Sequence, residues 1–175
     1  QDNPDLQGKP IAVTGAGERT VITTSSYEAR QYGVKTGMTP REAKKLCPHI
    51  IFVTGHNKRY AEICGKLETI CERFTPDRET YSIDEIFLDI TGSHHLFGGP
   101  DEMARTIKKT VKEELGINCT IGIGPNILIA KLASDLAKPD GLRWIDKSMV
   151  SSVFQSLPVK KLWVARRVVD GTAAS

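Results

Sequence analysis

Tyr81-Ser82-Ile83-Asp84-Glu85-Ile86-Phe87-Leu88-Asp89-Ile90 is the stretch from which the rest of the chain can be read. Tyr81 and Ile83, then Ile86, Leu88 and Ile90, alternate with polar or semi-polar neighbours, a period-2 pattern that predicts two antiparallel strands. Asp84 and Glu85 interrupt the pattern and would form a tight acidic turn, with both carboxylates at the hairpin tip. Neighbouring carboxylates repel each other, so water or a cation must stabilise them. Hard oxygen ligands suit magnesium, which binds through one or two carboxylates plus substrate phosphates. Spacing alone leaves this open, because acids in turns are commonly solvated.

On the N-terminal side of this hairpin, residues 57–74 place Tyr60, Ile63, Cys64, Leu67, Ile70, Cys71 and Phe74 in the i, i+3, i+4, i+7 rhythm of an amphipathic helix. Earlier still, Ile11 to Val13 and Thr20 to Thr24 read as a small hairpin around Gly15-Ala16-Gly17-Glu18. Ser25-x-x-Glu28 has capping-box spacing for a helical turn or two that Gly33 can end. Thr39-Pro40-Arg41-Glu42 repeats the signal with proline at the first helical position, and Pro48 stops that helix.

On the C-terminal side, Gly99-Pro100-Asp101-Glu102 opens a helix carrying Met103, Ile107, Val111 and Leu115 on one face, and Gly116 closes it. Cys119 to Ile123 is a strand, Asn126 to Ala137 a helix ended by Pro139, and Leu142 to Ile145 a last strand. Gly122-x-Gly124 lacks the full phosphate-loop pattern and reads as tight strand-to-helix packing. From Asn57 the order is helix, hairpin, helix, strand, helix, strand. With one further strand these elements would make an antiparallel sheet covered on one face by helices, an α+β plan. Ser148 to Trp163 adds a short amphipathic segment, and Val164 to Ser175 reads as a polar tail.

Composition narrows the function classes. Of the 175 residues, 39% are hydrophobic and 26% charged, which is ordinary for a globular protein. Since no apolar run approaches the roughly 20 residues of a bilayer span, and no secretory signal is present, a cytoplasmic location is expected. Cys47, Cys64, Cys71 and Cys119 form no Cys-x-x-Cys pair and read as small core residues. His49, His56, His94 and His95 show no ligand spacing. The net charge of +3 is compatible with nucleic acid but does not argue for it.

Ser82-Ile83-Asp84-Glu85 with its apolar strand also resembles the acidic motif of the Y-family, DinB-like (ImpB/MucB/SamB) translesion DNA polymerases. Ser26-Tyr27-Glu28-Ala29-Arg30, residues 33–38 (Gly-Val-Lys-Thr-Gly-Met), residues 121–126 (Ile-Gly-Ile-Gly-Pro-Asn) and Ala137-Lys138-Pro139-Asp140-Gly141 look like family motifs in family order. The likeness covers about residues 1–163. It implies an α+β fold with a ferredoxin-like palm at 57–145, a small α/β fingers lobe at 1–56, and the start of a thumb at 146–175.

The resemblance further implies template-directed DNA synthesis by two-metal phosphoryl transfer, a nucleotidyltransferase activity of damage bypass and DNA repair. Asp84 and Glu85 would be the catalytic acids and the ligands of two Mg2+ ions, Asp84 bridging both. Thr24, Tyr27, Arg30 and Lys138 would bind the incoming nucleotide, Thr24 just before a helix start. Tyr27 and Arg30, three apart, would face the same way on one helical turn. On burial habits alone, that pair reads as a packed ring and a surface charge. Lys131, two helical turns before Lys138, would contact backbone phosphates of the DNA or remain a solvated lysine. Primer-template DNA and deoxynucleoside triphosphates are the implied partners, with a sliding clamp as a further partner of the full-length protein.

The family's first palm strand, with a third metal-binding aspartate, is expected ahead of Asn3-Pro4, so the chain reads as a truncated piece inactive on its own. Ile127 also stands where the family commonly has lysine. An alternative is a non-catalytic nucleic-acid-binding or regulatory remnant of the polymerase core.

Overall fold

A computed structural model of the chain describes residues 3–17 and 20–158. Glu18 of the first turn, the end of the Ser148–Trp163 segment and the tail from Val164 lie outside these. Two compact units are present, Gln1–Ala61 and Glu62–Ser175.

The first unit is built on a three-stranded sheet in the order β2-β1-β3, with β1 at Ile11–Thr14, β2 at Ile22–Ser25 and β3 at Ile51–Thr54. β1 and β2 form the expected antiparallel hairpin, and β3 lies parallel to β1. Sequence reading left β3 out, although Ile50-Ile51-Phe52-Val53 is a β-branched and aromatic run. Two short helices stand between β2 and β3, α1 (Tyr27–Gln31) and α2 (Pro40–Leu46).

Helix α2 starts as its sequence dictates. The Thr39 hydroxyl accepts from the Glu42 backbone N–H at 3.3 Å, and the Glu42 carboxylate accepts from the Thr39 N–H at 2.7 Å. The Thr39 N–H and the Thr39 hydroxyl, both donating to that carboxylate at 2.7 Å, hold it below the usual carboxylate range. The cap of α1, however, is Ser26 and not Ser25: its hydroxyl accepts from the Ala29 N–H at 3.3 Å. Ser25 still belongs to β2, is buried, and donates to the Val34 carbonyl. The strand thus runs one residue further than the capping spacing suggests. Ala12, Ile22, Ala29, Val34, Ala43, Cys47 and Ile50 form this unit's core.

In chain order there follow α3 (Asn57–Glu72), the hairpin of β4 (Arg78–Ser82) and β5 (Glu85–Leu88), α4 (Pro100–Leu115), β6 (Ile121–Ile123), α5 (Ile127–Ala137), β7 (Leu142–Trp144) and α6 (Val150–Ser156). The element order and the hairpin match the sequence reading, but the single antiparallel sheet does not. Among the described residues β4 pairs only with β5, whereas β6 and β7 pair in parallel. A helix between two strands carries the chain back to its starting end, and such a crossover produces parallel neighbours.

Two clusters hold the second unit together. Ile70, Phe74, Met103, Ile107 and Val111 bury the apolar stripes of α3 and α4 against each other. At about 1.5–3 kcal/mol for each large apolar side chain, this is the main stabilising term there. The Arg73 guanidinium grips Glu114 with two parallel bonds, the second of 2.9 Å, and keeps that carboxyl below its ordinary range. Ile129, Leu132, Ala133, Ile145 and Val153 form the other cluster, under α5. Burial pushes the Cys71 thiol up to about 11, so this cysteine behaves as a core residue.

Helix α5 lies so close to β6 that a side chain has no room between them. A Cβ on Gly122 would stand 2.1 Å from the Ala130 carbonyl oxygen, and one on Gly124 2.6 Å from the Ala130 nitrogen. This is the tight packing anticipated for Gly122-x-Gly124. Gly141 is bound by the same constraint, its Cβ position lying 2.1 Å from the Ala137 carbonyl oxygen.

Gly122→Ala is therefore expected to lower stability by about 2 kcal/mol or more in urea denaturation. Gly65→Ala, within α3 and with nothing within 4 Å of its Cβ position, should raise it by about 0.5–1 kcal/mol. Equal effects of the two substitutions would contradict the close approach of α5.

Candidate active site

In the first unit the three residues assigned to nucleotide binding meet one another. Thr24 lies on β2, two residues ahead of the Ser26 cap, and Tyr27 and Arg30 lie on α1. Thr24 is thus a strand residue and does not cap the helix. The Arg30 Nε–H donates to the Ser25 carbonyl at 3.0 Å, and Nη2 to the Thr24 hydroxyl at 3.5 Å. Its Cζ stands 5.1 Å from the Tyr27 ring centroid, within cation–π range. The guanidinium is thereby oriented while all three side chains stay exposed. Tyr27, 48% exposed, is neither a packed ring nor a core anchor.

The hairpin of the second unit has a two-residue turn, Ile83-Asp84. Such loops usually take primed turns with positive φ. Here neither residue has one: Asp140 is the sole non-glycine with positive φ among the described residues. A bulge in β4 reconciles this turn with the strand twist. Thr80 pairs with Ile86 but Ser82 with Glu85, which leaves Tyr81 as the extra residue. The tip carries Asp84 exposed, and Glu85 begins β5 half-buried. The Ser82 hydroxyl donates to Asp84 Oδ1 at 2.7 Å.

Glu85 is held differently. Its Oε1 accepts from Lys131 Nζ of α5, in an ion pair whose side chains are only 22% and 14% exposed. Of the two readings offered for Lys131, the solvated lysine is excluded, and the ammonium faces a carboxylate. Lys138 is the C-cap of α5 with extended backbone, as its place before proline requires, and its Nζ donates to Asp135 Oδ1 at 2.7 Å.

The loop that carries Lys138 is braced from α4. Lys108 Nζ donates to the Cys119 carbonyl, to the Asp140 carbonyl at 3.0 Å and to Asp140 Oδ1 at 2.6 Å. An ammonium has three donors, and all three are used. Asp140 has φ 48°, a left-handed conformation that aspartate tolerates better than most residues. Sequence reasoning missed Lys108, Ser82 as the Asp84 partner, and the Lys131–Glu85 pair. Only Ser82, two residues from Asp84, left a local signal. No group of three or more His, Cys, Asp or Glu that could hold a metal occurs among the described residues. No helix among them is long and apolar enough to cross a membrane.

The family model described as the impB/mucB/samB family matches residues 1–135. DNA polymerase IV of Treponema denticola is 43% identical over 162 residues, which cover 93% of this chain and 41% of that protein. DNA polymerase IV of Moorella thermoacetica is 42% identical over 164 residues, covering 92% and 41%. Among solved structures, the insertion ternary complex of Dbh DNA polymerase superposes with a TM-score of 0.83 at 30% identity, over 97% of this chain and 52% of that one. DinB from Sulfolobus solfataricus gives 0.84 at 30% identity, over 96% and 51%. The chain thus spans about two-fifths of the length of these curated relatives and half that of the solved structures. The family-model match over residues 1–135, with relatives above 40% identity across more than nine-tenths of the chain, makes this chain a member of the impB/mucB/samB family, similar in fold to the Y-family polymerases.

Proposed function

We propose that this chain supplies the nucleotide-adding core of a translesion DNA polymerase. In this reading residues 1–56 act as fingers, 57–145 as palm and 146–175 as the opening of the thumb. Primer-template DNA and deoxynucleoside triphosphates are the substrates, a sliding clamp is a partner of the whole protein, and the setting is cytoplasmic. The acidic hairpin carries the reading: two hard-oxygen side chains adjoin in sequence at its end, Asp84 in the two-residue turn and Glu85 at the first position of β5.

The donor set fits a magnesium-type cation, which keeps most of its waters and needs only one or two carboxylates plus substrate phosphates. Asp84 and Glu85 would hold it. Once bound, such cations lower the pKa of a primer hydroxyl and neutralise a departing pyrophosphate. Everything else falls to the chain's own side chains. The Ser82 hydroxyl fixes one oxygen of Asp84 and so limits how far the carboxylate can turn.

Arg30 presents a planar fork already tethered to Ser25 and Thr24, so little rotamer freedom is lost when it takes a triphosphate. Tyr27 adds its hydroxyl and keeps the guanidinium over its ring. Lys138 would exchange Asp135 for a phosphate, because an exposed ion pair of this kind is worth at most about 1 kcal/mol. Lys108 keeps the Lys138–Gly141 loop in place while this happens. Lys131 is left out of the DNA contacts because Glu85 already takes its ammonium.

Primer extension by the protein that carries this sequence tests the assignment. Asp84→Ala should lower kcat by at least about a hundredfold, the scale of losing a preorganised transition-state contact. Extension at the unaltered rate would remove Asp84 from the chemistry, whereas no extension by the unaltered protein would make the non-catalytic remnant the better account.

For Arg30→Ala a loss of about 10- to 100-fold in kcat/KM for the incoming nucleotide is expected, the range of one charged hydrogen-bonded contact. Arg30→Lys should recover little of it, because a point charge cannot reproduce the fork. A kcat/KM for the incoming nucleotide unaffected by either change would refute the triphosphate role.

A further inference from the structure

We infer that Lys131 is a positioning residue whose ammonium serves as the resident counter-ion of Glu85, holding that carboxylate in place and opposing the binding of a divalent cation beside it. The inference rests on reading Asp84 and Glu85 as cation ligands.

Three observations carry it. First, both members of the pair are largely withdrawn from water, the Lys131 side chain 14% and the Glu85 side chain 22% exposed, so bulk solvent screens their interaction weakly. Second, the pair does not extend to the neighbouring acid: the hydrogen bond to Asp84 comes from the Ser82 hydroxyl. The two carboxylates of one hairpin end are thus stabilised separately, one by a neutral donor and one by a full charge. Third, α5 cannot easily carry the lysine away, because its backbone is pressed against β6 at Gly122 and Gly124.

Other lysines of these elements are committed elsewhere, Lys138 to Asp135 and Lys108 to Asp140. Among the described residues, Lys131 is the lysine that meets a proposed ligand. A carboxylate has two oxygens, and Lys131 takes Oε1. A cation on the remaining oxygen would sit within a few ångströms of a positive charge, and that repulsion weakens its binding. At such separations a unit charge changes the affinity for a divalent ion by at least about tenfold. The benefit is order. Without the ammonium, Glu85 would be a half-buried charge beside the like charge of Asp84, and its side chain would have no fixed position.

Titration of the full chain with Mn2+, followed by the electron paramagnetic resonance signal of the free ion, measures this directly. Lys131→Gln keeps an N–H donor for Glu85 and removes only the charge, while Lys131→Met removes both. Each is expected to bind Mn2+ at least about tenfold more tightly than the wild type. Lys131→Arg should keep the wild-type affinity, and the double change Lys131→Gln with Glu85→Gln should lose the gain. Circular dichroism of each variant identifies any that is unfolded, and the glutamine variant stands in if the methionine variant fails to fold. A purely structural lysine predicts weaker or unchanged Mn2+ binding in its variants. That result, with binding still reduced by Asp84→Asn, would overturn the counter-ion role and leave the cation site standing. Mn2+ binding indifferent to Asp84→Asn in both the wild-type and Lys131→Gln backgrounds would instead remove the cation site itself, and the counter-ion with it.

Discussion

The backbone of α5 rests directly on β6, and much of the second unit is arranged by that approach. Gly122 and Gly124 give up their side chains so that Ala130 and Ala133 can come against the strand, and Gly141 does the same where the chain returns past Ala137. Close packing of this kind resists small adjustments, since the atoms in contact are main-chain atoms that cannot rotate aside. The helix therefore has one position. From it the Lys131 ammonium reaches Glu85, and the C-terminal end of the helix delivers Lys138 to a loop that Lys108 braces.

A common economy links this unit's chemistry to that of the first. Each charged group assigned a task is already held by a modest partner: Arg30 by a backbone carbonyl and a threonine hydroxyl, Asp84 by a serine hydroxyl, Lys138 by an exposed aspartate. Such contacts are strong enough to orient a side chain and weak enough to yield to a phosphate or a cation. Glu85 is the exception, with a full opposite charge in a poorly hydrated position.

What could be read from the sequence was local. The capping box at Thr39, the terminating glycines at 33 and 116, the apolar faces of α3 and α4 and the acidic hairpin all arise from residues within one or two turns of each other. The trio proposed for nucleotide binding was legible only because a family motif drew attention to it, since a tyrosine and an arginine three apart carry no signal of their own. Pairings across long separations were invisible. Lys131 and Glu85 are 46 residues apart and Lys108 and Asp140 are 32 apart, and no spacing rule connects them. Strand partners were missed for the same reason: whether β7 pairs in parallel with β6 depends on the crossover, not on either strand's composition. The Ser25 cap failed by a single residue because both serines suit the role, and only the sheet decides which one the strand keeps.

The hairpin that ends in Ile83-Asp84 turns without glycine. Because neither residue occupies left-handed space, the backbone makes no demand on which side chains stand there, and selection at both sites is free to follow chemistry. A glycine-bearing primed turn would have made the same reversal with a looser main chain. By placing the irregularity in the strand, at Tyr81, the protein keeps its acidic apex built from residues that lose little freedom on ordering.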